Sequence, residues 1–394
     1  MGFRNPDVQL IDVRSPSEFQ EDHISGALNI PVLSDQERSH VGKLYTNGDI
    51  LRARFEGASV ICANLSRILL ELGERYFPVT SCTSKSLSSP ADSKIGNSAS
   101  NVLVYCARGG QRSNSLATLL TQIGWPGEVG VLVGGFRSWR RLLLRQLDAW
   151  PLWMMPGQFW VVSGLTGSGK SLVLSELAYA EETVLDLEHI ANHKGSIFGA
   201  EPTAQACDQR LFESRLHHLF VSDPKWQTSS HIWMECESRT VGPLCHLPAG
   251  LWTRLRETTA QAGTHRVWLD VPEEARVAWI LETYEALTKD PDAVQSMLTK
   301  LAGYHSSQRL TEWRTWVNQG DFVSLVTALL RHHYDPVYRR GRKAVLADAD
   351  RNGVLHRVSL PVVDRATIRS RLLPHLLELA DVLGGQSSSK LTAS

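Results

Sequence analysis

The sequence predicts an α/β protein of two domains in series, each built on a sheet of parallel strands. Three observations predict it. At 394 residues the chain exceeds one ordinary core and suits two or three domains. Short apolar runs of strand length alternate with stretches of helical spacing, the pattern of parallel strands joined by helical crossovers. The alternation breaks at residues 149–158, which hold Pro151, Pro156 and Gly157, and then restarts. The boundaries that follow are a first domain over 1–148, a linker over 149–158, a second domain over 159–383 with a helical C-terminal part, and a flexible tail over 384–394.

In chain order, residues 8–13 form an apolar run and read as the first strand. Ser15, Pro16 and Glu18 supply the cap, the first helical residue and the capping box of a helix. Residues 27–30 make a short strand. Residues 79–101 are rich in Ser, with Thr and Gly, and read as a flexible insertion within the first domain. Residues 102–105 make a strand that stops at Cys106. Leu116, Leu119, Leu120 and Ile123 then share a helical face, which Gly124 ends. Residues 129–133 are the last strand of this domain, followed by a basic helix around Trp139. In the second domain, residues 159–163 read as a buried strand that leads through a Gly-rich turn into a helix with Leu172, Leu174 and Leu177. Strand-like runs recur at 183–187, 231–234 and 266–269.

Charge and cysteine usage narrow the function classes. Lys plus Arg equals Asp plus Glu, 41 each, so any contact with nucleic acid needs a local positive patch. Residues 1–9 carry no apolar signal core, and no run approaches a membrane span, which predicts a cytoplasmic chain. The six cysteines are scattered without a CxxC pair, which argues against a disulfide scaffold or a zinc site and suits a reducing compartment.

One cysteine has chemical surroundings. In residues 105–113, Tyr-Cys-Ala-Arg-Gly-Gly-Gln-Arg-Ser, a strand delivers Cys106 to a Gly-Gly turn that opens a helix. The glycines permit positive φ, so backbone N–H groups can turn inward as an anion nest. Ser113 is placed to cap the helix. The helix N-terminus, Arg108 and Arg112 all favour thiolate over thiol, which suits a nucleophile that carries an anionic chalcogen.

A second loop binds phosphate. Residues 164–171, Gly-Leu-Thr-Gly-Ser-Gly-Lys-Ser, fit GxxxxGK[ST] between a strand and a helix. Gly164, Gly167 and Gly169 let the N–H groups converge on phosphate oxygens, Lys170 meets the terminal phosphate, and Ser171 is a candidate ligand for Mg2+. ATP, GTP and an isoprenoid diphosphate are all admissible. Asp186, Glu235 and Asp270 each end an apolar strand and are candidate acids at the sheet edge. Asp186 comes first because its strand follows the loop's helix directly.

Basic residues gather twice with aromatics between them. Arg137, Trp139, Arg140, Arg141 and Arg145 form one group. Arg331, His332, His333, Tyr334, Arg339, Arg340, Arg342 and Lys343 form the other. Such groups can follow an RNA backbone, and Arg137, Arg140, Arg141, Arg339 and Arg340 are the candidate contacts. Adjacent His332 and His333 point to different faces of a helix and make a poor metal pair.

The cysteine loop, together with residues 11–19 (Ile-Asp-Val-Arg-Ser-Pro-Ser-Glu-Phe) and 23–31 (His-Ile-Ser-Gly-Ala-Leu-Asn-Ile-Pro), resembles a rhodanese domain. The loop's length is that of sulfurtransferases rather than the related phosphatases. A rhodanese-like α/β domain followed by a P-loop NTPase-like α/β domain resembles the bacterial tRNA 2-selenouridine synthase family. The segments 186–188 with 193–199, 235–239 with Gly242, Leu247 and Pro248, and 333–336 with Tyr338 carry the likeness along the chain. The Ser-rich insertion departs from it.

The resemblance implies a transferase with no tightly bound cofactor. Its substrate is a tRNA with 2-thiouridine at the wobble position. Its co-substrates are geranyl diphosphate and selenophosphate, the latter from a separate supplier. The 2-thio group is geranylated, and selenium then replaces the S-geranyl group. Competing readings from the residues are a sulfurtransferase with an ATP-binding second domain, a kinase with an accessory rhodanese module, and a non-catalytic tRNA-binding protein.

Overall fold

The computed structural model describes residues 8–76, 101–149, 157–192, 207–235, 238–242, 244–258 and 263–391. The chain divides into two compact units, Met1–Gln146 with Arg210–Ser222, and Leu147–Gln209 with Asp223–Ser394. Both are α/β with parallel sheets.

In the first unit, β1 (Val8–Asp12) enters a turn where Ser15 precedes α1 (Pro16–Glu21), and Glu18 Oε2 accepts the Ser15 N–H at 3.2 Å. After β2 (Leu28–Asn29), Ser34 and Glu37 make a second capping box at the start of α2 (Asp35–Thr46). Next comes α3 (Ile50–Tyr76), whose Ala53, Gly57, Ile61, Leu65, Ile68 and Leu72 fall on one buried stripe. Then follow β3 (Asn101–Tyr105), α4 (Gln111–Gln122), β4 (Val129–Val131) and α5 (Gly135–Ala149). The sheet order is β2-β1-β3-β4, all parallel, so β3 is central and its end lies at the common C-terminal edge.

In the second unit, β5 (Gln158–Gly164) leads to α6 (Lys170–Tyr179), β6 (Val184–Leu185) and α7 (Leu187–Ile190). Helix α8 (Gln209–Ser222) belongs almost wholly to the first unit. Then come α9 (Lys225–Thr228), β7 (His231–Glu235), the hairpin β8 (Thr240–Val241) with β9 (Cys245–His246), α10 (Ala249–Arg256) and β10 (Thr264–Asp270). A helical layer follows: α11 (Glu273–Thr283), α12 (Glu285–Thr288), α13 (Pro291–Lys300), α14 (Ser307–Gln319) and α15 (Phe322–Leu329). A π-helical turn, Leu330–Tyr334, joins α15 to α16 (Asp335–Arg351). The chain closes with β11 (Leu355–Ser359), α17 (Arg365–Thr367), a second π-helical turn (Ile368–Leu372) and α18 (Leu373–Leu391). The sheet order is β11-β10-β5-β7-β6, all parallel. Every residue of β5 is buried, as a central strand covered on both faces requires. Trp160 on β5 stacks on His265 of β10 at 4.6 Å and lies 5.2 Å from Trp233 of β7.

Several expectations need correction. Ala149 ends a helix and Gln158 begins a strand, so the linker is shorter at both ends. The interior of that linker and nearly all of the Ser-rich insertion lie outside the described residues, although Asn101 already belongs to β3. Residues 384–391 continue α18 instead of forming a tail, because a nucleated helix gains one hydrogen bond for each residue it adds. The second domain is also not one continuous stretch. Phe212, Leu216 and Phe220 of α8 are buried, and Arg140 of α5 ties that helix to the first unit through Glu213, Ser214 Oγ (3.1 Å) and the Arg210 carbonyl (3.0 Å). No helix among the described residues is long and apolar enough to cross a membrane.

Beside β1, Asp12 is 0% exposed and holds the buried Arg14 guanidinium through Nε at 3.0 Å and Nη2 at 2.6 Å. Arg14 also donates to the Asp22 carbonyl at 2.7 Å and covers the Phe136 ring at 3.9 Å. Replacing Asp12 by Ala leaves that charge buried without its carboxylate, at a cost of about 3–5 kcal/mol. The expected result of a urea titration read by circular dichroism is a transition at clearly lower urea than for the parent chain.

Candidate active sites

Cys106 stands directly after β3 and is 3% exposed. Its Sγ accepts the Gly110 N–H and the Ser113 hydroxyl, each at 3.3 Å. The start of α5 clamps the loop: Phe136 N–H donates to the Cys106 carbonyl at 2.9 Å and Arg137 N–H to the Ala107 carbonyl at 3.1 Å. Gly135 makes this approach possible, since a Cβ there would stand 2.3 Å from the Cys106 oxygen. Burial by itself would push the Cys106 thiol up. The Ser113 hydroxyl and the N–H groups of Arg108, Ser113 and Gly110 outweigh it and hold the thiol below its ordinary range.

Two sequence expectations change here. Ser113 does not cap α4; Gly110 takes that position, and Ser113 lies one turn in, with its hydroxyl on the sulfur. The arginines do not supply the charge that favours thiolate. Arg112 pairs with Glu18 at 2.7 Å, and Arg108 is exposed, so hydrogen-bond donors do that work. Glu18 also receives Arg38 at 2.9 Å. The sequence marks Glu18 only as part of a capping box, and its distance in sequence from Arg112 hides the pairing.

The second site follows β5. Gly167 and Gly169 adopt φ of +81° and +77°, and a Cβ on them would meet Ile280 Cδ1 at 2.7 Å and Val363 Cγ1 at 2.4 Å. A Cβ on Gly164 would meet Ser168 Oγ at 2.5 Å. Lys170 is buried; its Nζ donates to the Gly164 carbonyl at 3.0 Å, and Glu235 Oε1 lies 3.6 Å away. Ser171 Oγ donates to Glu235 Oε2 at 3.3 Å. Tyr338 closes the other side: its hydroxyl accepts the Gly164 N–H at 3.4 Å, and its ring centre is 5.7 Å from Lys170 Nζ. Arg276 braces the loop, donating to the Thr166 carbonyl at 3.1 Å while Asp335 holds it with bonds of 3.0 and 2.9 Å.

The acid beside this loop is Glu235, not Asp186. Strand order explains the difference: β7 lies next to β5, and β6 lies beyond β7 at the sheet edge. Asp186 is exposed and caps α7 through the His189 N–H at 2.8 Å. Asp270 ends β10 on the other side of β5 and is exposed. A Ser hydroxyl and a carboxylate beside a phosphate cradle fit Mg2+, a hard cation that keeps several waters and takes one or two carboxylates. Among the described residues, no group of three or more His, Cys, Asp or Glu side chains gathers as a metal site.

Of the candidate RNA contacts, Arg137, Arg141, Arg339 and Arg340 are exposed. Arg140 is not available in the same way, because Glu213 and Asp22 (3.5 Å) answer its charge. Segment 333–338 has a structural explanation: it carries Asp335, which holds Arg276, and Tyr338, which covers the phosphate loop. Segment 193–199 lies outside the described residues.

With this geometry in place, comparison with known proteins gives a consistent answer. Residues 157–312 match the tRNA 2-selenouridine synthase AAA domain, and residues 2–67 and 69–142 match the Rhodanese-like domain. The chain is 31% identical over 321 residues to the tRNA 2-selenouridine synthase of Marinobacter nauticus, covering 80% of this chain and 72% of that protein. It is 30% identical over 369 residues to that of Pseudomonas entomophila, covering 86% and 88%. It is 27% identical over 406 residues to that of Bordetella petrii, covering 91% and 95%.

The sulfur geometry yields a prediction. A hydrogen bond to a charged group contributes about 1.5–3 kcal/mol. Ser113→Ala should therefore move the pH midpoint of iodoacetamide alkylation at Cys106 upward and slow alkylation roughly tenfold on the acid side. An unmoved midpoint would show that the hydroxyl does not act on the thiolate.

Proposed function

The chain belongs to the tRNA 2-selenouridine synthase family, and from that premise we propose that it geranylates the 2-thio group of a wobble uridine and then exchanges that group for selenium. It is a tRNA-modifying transferase. The 2-thio sulfur attacks C1 of geranyl diphosphate, the C1–O bond breaks, and diphosphate leaves with the electron pair. The selenium of selenophosphate then adds at C2 of the base, geranylthiolate departs with the C2–S electron pair, and water takes the phosphoryl group from selenium, releasing phosphate and 2-selenouridine.

The observation that carries the allylic diphosphate over ATP is a cavity that begins at the phosphate loop. Thr166 of the loop lines it, together with Ile280, Phe322, Leu325 and Leu329. Ile280 is also the side chain that packs on Gly167. The cavity is small, about 90 Å3, and its walls are almost entirely hydrocarbon. A purine placed there would exchange the hydration of its polar edge for at most the hydroxyls of Thr166, Thr288, Tyr284 and Tyr334, at about 1–3 kcal/mol for each group left unpaired. A slender hydrocarbon tail has no such cost.

The residues then divide the work. Loop N–H groups and Lys170 hold the diphosphate, and Lys170 exchanges its bond with the Gly164 carbonyl for a phosphate oxygen as charge develops on the leaving group. Ser171 and Glu235 would hold Mg2+, which supplies further charge neutralisation when bound. Cys106 serves the selenium step, with the N–H cradle and the Ser113 hydroxyl holding an anionic chalcogen and Arg108 and Arg112 flanking it.

The test is incubation with a 2-thiouridine tRNA, geranyl diphosphate and selenophosphate, followed by nucleoside mass spectrometry. The parent should pass through S-geranyl-thiouridine to selenouridine. Cys106→Ala should stop at the geranylated nucleoside, and Lys170→Ala should slow its formation about a hundredfold or more. Selenouridine made at the normal rate by Cys106→Ala would remove that residue from the mechanism. Rapid thiocyanate formation from thiosulfate and cyanide, with an unchanged nucleoside, would favour the sulfurtransferase reading. Separately, Leu325→Trp should raise KM for geranyl diphosphate roughly tenfold or more by filling the tail cavity. An unchanged KM would place the tail elsewhere.

A further inference from the structure

A second cavity of the same unit has the opposite chemistry. It measures about 350 Å3, within the range of about 300–1,000 Å3 that small ligands and nucleotides occupy. Arg239, Arg256, Arg266 and Arg342 line it, with Trp252 among them. Elsewhere in this unit several arginines that border buried structure carry carboxylate partners, as Arg276 does with Asp335 and as Arg365 and Arg369 do with Glu176. Among the described residues, Arg239, Arg256 and Arg342 form no ion pair, so this cavity collects three cations without a carboxylate partner, Arg256 lying over the Trp252 ring at 5.9 Å from its centre. Arg342, which lines the cavity, also has its Nη2 buried without a hydrogen-bond partner.

Its position is equally informative. Arg342 stands one helical turn beyond Tyr338 on α16, with its guanidinium 5.8 Å from that ring centre. The same Tyr338 ring is 5.7 Å from Lys170, and its hydroxyl meets Gly164. The cationic cavity thus lies one aromatic ring away from the phosphate loop. Arg339, exposed and three residues before Arg342 on the same helix, extends the positive surface outward.

Resting on the tRNA-modifying reading above, we propose that this cavity is the acceptor-strand site, where Arg239, Arg256 and Arg342 hold backbone phosphates around the target nucleotide and Trp252 stacks on a base. Three cations spread around one cavity exceed what a single phosphate group needs and suit a ligand with more than one, such as a strand. The indole face supplies the sequence-tolerant stacking that single-stranded RNA recognition uses. The anticodon nucleotide is then held beside the group that alkylates it.

The experiment is fluorescence anisotropy of the full chain with a labelled 2-thiouridine anticodon stem-loop across a series of KCl concentrations. Arg239→Ala and Arg256→Ala, both at exposed positions, should each weaken binding about tenfold and reduce the salt slope by roughly one. Trp252→Ala should weaken binding roughly five- to hundredfold with an unchanged salt slope. Unchanged affinity and slope in all three folded variants would overturn the proposal. So would loss of binding to inorganic diphosphate alone with RNA affinity intact, since that marks a small-anion site. The readout needs no turnover, so absence of geranyl transfer in every protein would sink the geranylation reading and leave the RNA site standing on its own affinity change.

Discussion

Both sites depend on one constraint of parallel sheets. All strands end at the same edge, and there the backbone N–H groups leave the ladder and must find other acceptors. In each unit a central buried strand, β3 or β5, runs out at that edge into a glycine turn and a helix N-terminus. The N–H groups freed at that point converge, and an anion is the acceptor that suits them. Gly109, Gly135, Gly167 and Gly169 hold positive φ in these turns. At Gly135 and Gly169 a Cβ would also collide at 2.4 Å or less with neighbouring atoms, so the cradles tolerate no side chain there.

Around the cradles, buried ion pairs sort structural charge from functional charge. Glu176 on α6 is fully buried and receives the exposed Arg365 and Arg369, which fastens the C-terminal segments to the helix that follows the phosphate loop. Arg276 and Asp335 form a pair buried on both sides, joining α11 and α16 and reaching the loop at the Thr166 carbonyl. A buried pair of this kind adds little net stability compared with an apolar substitute, but losing one partner is costly, so the geometry it imposes is strongly held. The fold invests such pairs where the loop must not move. Lys170 differs: its partners are a carbonyl and a carboxylate at 3.6 Å, a looser arrangement that phosphate oxygens can replace.

What could be read in the sequence was what is local in it. The strand–loop–helix pattern around Cys106 and around residues 164–171 is written in consecutive residues, and both loops appear where those residues place them. What depends on strand order was not legible. Asp186 follows the phosphate-loop helix immediately in sequence, yet β7 inserts between β6 and β5, so Glu235 arrives instead. Pairings across long separations were hidden for the same reason: Arg112 with Glu18, Arg140 with Glu213, and Arg276 with Asp335. Helices α2 and α3 had a readable signal. Buried positions 53, 57, 61, 65, 68 and 72 recur at helical spacing, and the capping box at Ser34 and Glu37 announces the first of the pair.

The corrected role of the arginines bears on reactivity. A guanidinium placed on the Cys106 sulfur would lower the thiol further, but nucleophilicity falls as thiol pKa falls, with a Brønsted coefficient of about 0.4–0.5. Glu18 takes up Arg112, and the sulfur is left with neutral donors: one hydroxyl and a set of N–H groups. These overcome the cost of burial and hold the thiol below its ordinary range while leaving the sulfur less strongly bound than a full positive charge would. In the reaction proposed above the phosphate loop faces the reverse demand, since a leaving diphosphate gains charge and is best met by a fixed cation. Lys170 supplies it there, with Ser171 and Glu235 beside it. The two units share one backbone device, and the charge set next to each cradle determines whether it holds a nucleophile ready to attack or a leaving group ready to depart.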